Sequence, residues 1–369
     1  MSNPLVSICI PTYCGEEYLL DCLDSVVSQT FSDFEILIVD DGSTDNTIDI
    51  VREYMIHDSR INFFCNEKNL GLVGNWNRCI ELAQGEWIKF VFQDDTIATT
   101  CLEKMLAATT FGKPIIYCDR NFIFEAKTPE ATKQEYLSHL SVQHIFGDTV
   151  EVSASQYAEI ALKNIGVNFV GEPTSLMFHR SVFYQFGSFN PHLIMICDFE
   201  FYTRIAIHTG IVRVPEVLAS FRVHGKAASA VSKDNRFYRG WILDGLIFIH
   251  DFATHIDYAP IRAAAIQSQP KIDLFDMFEL HAFSAWKIAC RERYFTEESA
   301  FSPESELAKI AKFYPLIAKT IERNVLERQK YSVLLALELL VLNIKDKLKR
   351  ILPITWYLKI RSQYQQTRV

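Results

Sequence analysis

The chain has 369 residues, 49% of them hydrophobic, and a formal net charge of -8 at pH 7. That length suits one large or two moderate domains with a proper core, and the acidic balance excludes the basicity of a nucleic-acid-binding protein. Nine cysteines are scattered without a Cys-x-x-Cys pair, a pattern of buried free thiols in a reducing compartment rather than of disulfides or a thiolate metal site.

The chain enters its first strand at Val6–Ile10 without a secretory leader, so a cytoplasmic location is expected. Apolar spacing predicts an amphipathic helix over Glu17–Val27, with Tyr18, Leu19, Cys22, Leu23, Val26 and Val27 on one face. A second strand follows at Glu35–Val39, and Ser43 opens a capped helix to Met55. Strands are then expected at Ile61–Cys65, Trp87–Phe92 and Ile115–Cys118, and helices at Asn75–Ala83 and Leu102–Ala108. Strands alternating with helices imply a mostly parallel sheet covered on both faces. Residues 121–147 read as a polar connection with some helix, Ser153–Asn164 as a helix, and Leu176–His179 and Ile211–Val214 as short strands. Beyond Phe237 strand signals fade, and helices are expected at 237–252, 274–293, 305–326 and 330–351. The expected division is an α/β unit over 1–230 and a helical region over 231–369.

The chemistry-bearing residues gather at strand ends, where an open α/β sheet binds its ligands. Pro11, Thr12 and Tyr13 close the first strand, and Asp40, Asp41, Gly42 and Ser43 close the second. Asp94 and Asp95 follow the fourth, and Asp198 with Glu200 makes a third acidic site. Paired carboxylates are hard oxygen ligands that suit Mg2+ or Mn2+ shared with substrate phosphates, and they accept from ribose hydroxyls or a base N–H. One such pair alone fits a helix cap or a solvated turn as well; three together fit that reading less. No Gly-x-Gly-x-x-Gly follows the first strand and no Gly-Lys-Ser/Thr loop occurs, which argues against a dinucleotide oxidoreductase and a P-loop NTPase.

Taken in order, Val6–Tyr13, Ile38–Asp45, Asn69-Leu70-Gly71, Gly85-Glu86-Trp87-Ile88, Gln93-Asp94-Asp95 and Cys197-Asp198-Phe199-Glu200 resemble the family 2 glycosyltransferases of the GT-A fold. The resemblance implies a GT-A-type, mostly parallel sheet flanked by helices, followed by a C-terminal helical region. It implies that Pro11, Thr12, Tyr13 and Glu16 line a nucleotide pocket, that Asp41 accepts from the base, and that Asn69 and Gly71 border the nucleotide. Asp94 and Asp95 match the end of the family's Asp-x-Asp motif for Mn2+ or Mg2+, Asp94 lying beside the nucleotide, although Phe92 stands where the fuller form has its first aspartate. Asp198 matches the family's catalytic base, and an attacking acceptor hydroxyl does need a carboxylate to take its proton. His224, in Phe221-Arg222-Val223-His224-Gly225, either completes the metal shell or is a hydrogen-bonding histidine.

Around the base, Glu172 in the turn Gly171–Ser175 either binds an acceptor hydroxyl or serves the turn before Pro173. Arg204 either orients acceptor or phosphate groups or pairs with Glu200 one helical turn away, the pairing being preferred. On a helix Glu200 points away from Asp198. Trp76 and Trp87 read as core. The apolar run Tyr331–Ile344 is too short to span a membrane, which takes about 20 residues. With the lysines after it and Trp356 and Tyr357, the stretch 331–361 fits either an interfacial helix or a buried one.

These features lead to an expected metal-dependent, inverting hexosyl or deoxyhexosyl transferase of bacterial surface-polysaccharide type. It would use a UDP- or dTDP-sugar and a glycan or lipid-linked glycan acceptor, at the inner face of the cell membrane. A non-catalytic nucleotide-sugar or glycan-binding relative, acting as an interaction module, is the alternative, supported by the altered metal motif alone. A nucleotidyltransferase would need a basic glycine-rich loop after the first strand, where Thr12–Glu17 is acidic.

Overall fold

Strands β1 (Val6–Thr12) and β2 (Phe34–Asp40) are buried along their whole length, as strands covered by helices on both faces must be. They pair in parallel, and β3 (Ile61–Cys65) and β4 (Trp87–Phe90) extend the same parallel run. Helices α1 (Leu19–Val27), α2 (Thr47–His57) and α3 (Gly71–Leu82) make the connections. Val6, Ile8 and Ile10 of β1, Ile36 and Ile38 of β2, and Leu23 and Val26 of α1 form one packed core. The computed structural model describes residues 3–138, 145, 147–227, 238–292, 303–324 and 327–337.

After β4 the pairing changes. β5 (Thr96–Ile97) is followed by α4 (Cys101–Ala107), β6 (Ile115–Phe124), α5 (Glu130–Leu137), β7 (Glu151–Val152), α6 (Ala154–Lys163) and β8 (Leu176–His179). Next come α7 (Ser181–Phe186), α8 (Cys197–Thr209) and β9 (Ile211–Val223). β8 lies antiparallel between β4 and β6, β9 runs parallel to β6, and β5 and β7 are antiparallel to β9. The sheet order is β3-β2-β1-β4-β8-β6-β9-β5, with β7 also on β9. The α/β fold with its flanking helices is as expected, and the sheet as a whole is mixed: the first four strands and the β6–β9 pair are parallel, the other pairs antiparallel.

Two strands outrun their expected lengths. β6 and β9 stay paired from Ile116↔Val212 to Phe124↔Val223, with irregular register around Asp119. The polar residues Asp119, Arg120 and Asn121 hide this from an apolar-run reading. The outer part is held by rings: Phe122 lies 6.3 Å from Phe221, and Tyr136 of α5 packs on both. Helix α8 is the other departure. Every residue from Cys197 to Ile207 is buried, so no amphipathic stripe marks it in the sequence.

The chain forms two compact units, Met1–His281 and Ala282–Val369. Among the described residues only helices follow β9, from Tyr238 onward, and α9 (Leu243–Thr254) and α10 (Ala259–Gln267) belong to the unit that contains the sheet. α10 packs on α6 and α8. Later helices are α11 (Leu274–Glu292), α12 (Pro303–Phe313) and α13 (Pro315–Arg323), with a helical segment over 327–337. Within the second unit α12 packs on α13, and Trp286 meets Phe283 and Tyr331. Among the described residues no helix is long and apolar enough to cross a membrane; residues 338–361 of the expected membrane-contact stretch lie outside them. The nine cysteines are free, six of them buried.

Gly85 shows how tightly the approach to β4 is packed on β1, since a Cβ there would fall 2.4 Å from Ser7 N and 2.6 Å from Val6 C. Backbone cannot give way, so Gly85→Ala is expected to cost about 1–3 kcal/mol. Gly245 in α9 faces open space, and Gly245→Ala should instead stabilise by about 0.5–1 kcal/mol. Urea unfolding of the two variants beside wild type checks both signs.

Candidate functional site

The site begins where β1 and β2 end side by side, with Thr12 opposite Asp40. Asp40 is an anchor of its own turn. Its Oδ1 accepts from Gly42 N (3.1 Å) and Ser43 N (2.9 Å), and its Oδ2 from Thr12 Oγ1 (3.0 Å) and Ser43 Oγ (2.5 Å). Asp41 reaches the next loop: Oδ1 accepts from Asn66 Nδ2 (2.8 Å) and Leu70 N (2.7 Å), and Oδ2 from Gly71 N (2.9 Å). Asn69 Nδ2 donates to the Asp41 carbonyl at 2.9 Å, and Gly71 adopts φ +75, a left-handed conformation that favours glycine. Asp41, Asn69 and Gly71 are therefore one turn.

Pro11 lies within β1, opposite Val39, and the hydroxyl of Thr12 is committed to Asp40. Tyr13 is 53% exposed. Its N–H donates to Gln93 Oε1 (2.9 Å) while Gln93 Nε2 donates back to its carbonyl (3.1 Å). A Cβ on Gly15 would lie 2.3 Å from the same Gln93 oxygen, so glycine permits this approach. Glu16 accepts from Asn46 N (2.9 Å) and Nδ2 (2.7 Å), tying the loop to the start of α2. The loop after β1 is thus clamped between α2 and the turn that carries Asp94.

Asp94 Oδ2 stands 2.9 Å from His224 Nε2. The ring of His224 packs edge-on to Tyr18 at 4.7 Å, and its Nδ1 is buried without a hydrogen-bond partner. Asp95, expected beside Asp94 at a metal, turns instead into the fold. It has no exposed surface; Oδ1 accepts from Arg222 N (3.0 Å) and Oδ2 from Thr174 Oγ1 (2.5 Å). Burial pushes its carboxyl well above the usual range, and the charge of Asp94 adds to this. Arg222 clasps the same turn, donating from Nε to the Asp94 carbonyl (2.9 Å) and from Nη2 to Asp21 (2.7 Å), with its guanidinium 4.7 Å from the Tyr18 ring centre. Phe92, at the place of the missing aspartate, stacks on Trp76 at 4.8 Å.

Among the described residues no group of three or more His, Cys, Asp or Glu could hold a metal ion. Asp94 and His224 nonetheless converge on one point, a carboxylate oxygen and an imidazole nitrogen. Two protein donors fit an ion such as Mn2+ or Mg2+, which takes its other ligands from water and substrate phosphates.

Asp198 sits in the first turn of α8. Its Oδ1 accepts from Phe199 N (2.7 Å) and its Oδ2 from Asn168 Nδ2 (3.4 Å). Burial pushes its carboxyl up to about 7, opposed by the Phe199 amide and assisted by the charge of Glu172. Glu172 is ion-paired with Arg120, which also donates from Nη2 to Oε1 at 3.3 Å. Gly171 adopts φ +108, and a Cβ there would lie 2.8 Å from Arg120 Nη1, so this pair depends on glycine. Asn168 binds both the N–H (2.9 Å) and the carbonyl (3.2 Å) of Gly171, joining the Glu172 turn to Asp198.

Arg204 lies elsewhere. It is buried, donating from Nε to Glu200 Oε1 (2.7 Å), from Nη2 to the Ser188 carbonyl (2.8 Å), and to the Phe186 carbonyl. Tyr258 donates to the same Glu200 oxygen at 2.6 Å. The preferred pairing is present, and the guanidinium expected at the acceptor is used by the fold. Trp76 and Trp87 are buried, as read.

Thr174 joins the two halves. Its Oγ1 accepts from Phe92 N (3.2 Å) and donates to Asp95, and its carbonyl accepts from the buried Lys89 Nζ. The sequence reading passed over Lys89, Arg120, Asn168 and the anchoring role of Arg222. A lysine in the middle of the apolar strand Trp87–Phe90 was a usable signal; the others pair across long separations.

Residues 7–187 match the family model described as glycosyl transferase family 2. The glycosyltransferase match stops short of Asp198 and His224, whose placement rests on the structure. Among relatives, MT1568 of Mycobacterium tuberculosis is 28% identical over 229 residues, 61% of this chain and 69% of that protein. Glycosyltransferase GlyG of Streptococcus pneumoniae is 35% identical over 103 residues, 28% of this chain and 34% of that protein. The chain thus spans about a third of that relative's length. Two solved structures share the GT-A fold. S. aureus TarS 1-349 in complex with UDP-GlcNAc has TM-score 0.52 and 19% identity, covering 76% of this chain and 80% of that one. Mannosyltransferase PcManGT from Pyrobaculum calidifontis, in complex with GDP-Man and Mn2+, has TM-score 0.51 and 16% identity, covering 92% and 87%.

The raised carboxyl of Asp198 carries a stability consequence. An unfolded aspartate ionises near pH 3.9, while the native one holds its proton to about pH 7. Between these values the native state binds more protons, so this residue's contribution is full below the unfolded value and lost as pH rises through about 7. Asp198→Asn, which stays neutral, should gain on wild type by on the order of 2–4 kcal/mol between pH 4 and pH 8. Denaturant unfolding at the two pH values measures the difference.

Proposed function

We propose that this chain is a metal-dependent, inverting glycosyltransferase that moves a sugar from a nucleotide-sugar donor to a hydroxyl of a glycan acceptor. The observation that carries the reading is Asp198: a buried carboxyl poised at about 7, hydrogen-bonded through Asn168 to the loop whose Thr174 holds Asp95. A group with that poise can take a proton from an alcohol at neutral pH. The family 2 match and the nucleotide-sugar complexes of TarS and PcManGT support the substrate class.

On this reading the Asp41–Asn69–Gly71 turn and the loop of Tyr13 and Glu16 receive the nucleotide, with Pro11 and Thr12 forming its floor. A UDP- or dTDP-sugar is the proposed donor. Asp94 and His224 hold Mn2+ or Mg2+, with Asp95 fixing the turn from behind. The bound ion supplies Lewis-acid neutralisation of the diphosphate leaving group. Asp198 takes the acceptor proton as the hydroxyl attacks the anomeric carbon from the face opposite the diphosphate, which inverts configuration. Glu172, oriented by Arg120, borders the acceptor. A lipid-linked glycan would bring the chain to the inner face of a membrane, with 331–361 as the contact and surface polysaccharide as the product.

Asp198→Asn should abolish transfer and leave nucleotide affinity within about twofold; parallel loss of binding would make Asp198 a structural residue. Calorimetric titration with UDP, dTDP and GDP, with and without Mn2+, should show metal-dependent binding of one nucleotide. His224→Ala should raise the Mn2+ needed for that binding by about 10–100-fold. Binding that ignores both metal and His224 would overturn the metal assignment.

A further inference from the structure

Helix α8 carries Asp198 but brings no cap of its own. Its N-cap residue is Ile196, which offers no side-chain acceptor, and the first N–H groups of a helix need acceptors from elsewhere. The backbone that leads into the helix is held by Asp244 of α9. One oxygen, Oδ2, accepts from the N–H groups of Ile194 (2.8 Å), Met195 (2.6 Å) and Ile196 (3.3 Å). Arg239 completes the arrangement, donating from Nη1 to Asp244 Oδ1 (3.0 Å) and from Nη2 to the His192 carbonyl (2.9 Å). Asp244 has no exposed surface.

We infer that Asp244, paired with Arg239, is a positioning residue for the base: it clamps the backbone of residues 192–196 and thereby sets where Asp198 stands. The inference rests on the proposed role of Asp198. A helix buried all round has no apolar stripe to choose its rotation, so its polar anchors must do so. For α8 these are the Glu200–Arg204 pair within the helix, bonded by Tyr258 from the turn before α10, and Asp244 at its entrance. Asp244 is the anchor nearest the chemistry, since Cys197 and Asp198 follow directly on the clamped residues. A negative charge at this end also suits the helix dipole. Both clamp residues lie in the chain after residue 230, so the first helical turns beyond the sheet take part in building the site.

The test uses the full-length protein and Asp244→Asn, which keeps the shape and removes the charge. Three quantities are read: amide hydrogen exchange of residues 194–198, nucleotide affinity in the presence of Mn2+, and kcat. Protection of 194–198 should fall by about tenfold or more. Because a displacement near 1 Å can cost on the order of 100-fold in rate, kcat should fall by about 10–100-fold while nucleotide affinity stays within about twofold. Unchanged protection, unchanged kcat, or a nucleotide affinity that falls in step with kcat each overturns the inference. If Asp244→Asn does not fold, Arg239→Gln is read against the same three outcomes. If the wild type transfers no sugar from any nucleotide donor, the functional reading fails, and the exchange and affinity measurements still decide whether Asp244 and Arg239 clamp the loop.

Discussion

A carboxylate with no exposed surface can persist only if the chain supplies donors to it, and Asp95 draws its donors from two separate elements. Thr174 comes from the turn before β8 and the Arg222 amide from β9, while Asp95 itself follows β4. Satisfying one buried group therefore brings three strand ends to one place. Asp94 is carried along by adjacency and His224 by following Arg222, so their 2.9 Å approach is a by-product of the Asp95 bonds. The second chain of contacts starts from the same threonine. Its turn includes Glu172 and Gly171, which reach Asp198 through Asn168. The turn that carries Asp94 and the turn that reaches Asp198 are two arms of one hydrogen-bonded frame.

The charges in that frame say what it can bind. Four carboxyl groups, Asp94, Asp95, Glu172 and Asp198, cluster along it, and burial favours the neutral form of Asp95 and Asp198. Among the described residues the cations that reach it, Lys89, Arg120 and Arg222, are each engaged by a carbonyl or a carboxylate of the chain. A diphosphate entering beside Asp94 would meet negative charge without a guanidinium or ammonium given over to it. A divalent ion, which Asp94 and His224 would hold, would supply positive charge there and offset that repulsion. Asp198 lies apart from the cations as well; Arg120 lowers its carboxyl less than burial and Glu172 raise it. The same desolvation that costs stability at that position gives the carboxyl its poise.

The strand ends were legible in the sequence because a buried parallel strand is a nearly unbroken apolar run, and the polar residue that ends the run is visible at once. Asp40, Asp41 and Asp94 follow from that rule, whereas Asn69 and Gly71 were marked by the family resemblance alone. The rule could not divide labour within a pair. In Asp40–Asp41 the two buried carboxylates anchor different turns, and in Asp94–Asp95 one turns into the fold and the other toward His224; neither composition nor spacing records which. The paired outer parts of β6 and β9 were hidden because Asp119, Arg120 and Asn121 break the apolar run, although Phe122 and Phe124 keep an alternation that the polar residues mask. α8 was hidden for the opposite reason, being buried on all sides and so without the periodicity that marks a surface helix.

The helical character of the chain from Tyr238 onward was legible too, but a change in element type is not a domain boundary. What decides the boundary is where buried polar groups find their partners. Glu200 of α8 is bonded by Tyr258 and Arg204, and the entrance to α8 is bonded by Asp244. Removing everything after the sheet would leave a buried carboxylate short of a donor and three backbone N–H groups without an acceptor, each costing about 1–3 kcal/mol. α9 and α10 are therefore part of the catalytic scaffold, in keeping with the compact unit that ends at His281. A GT-A sheet by itself would present Asp198 on a helix with no fixed rotation; these two helices fix it.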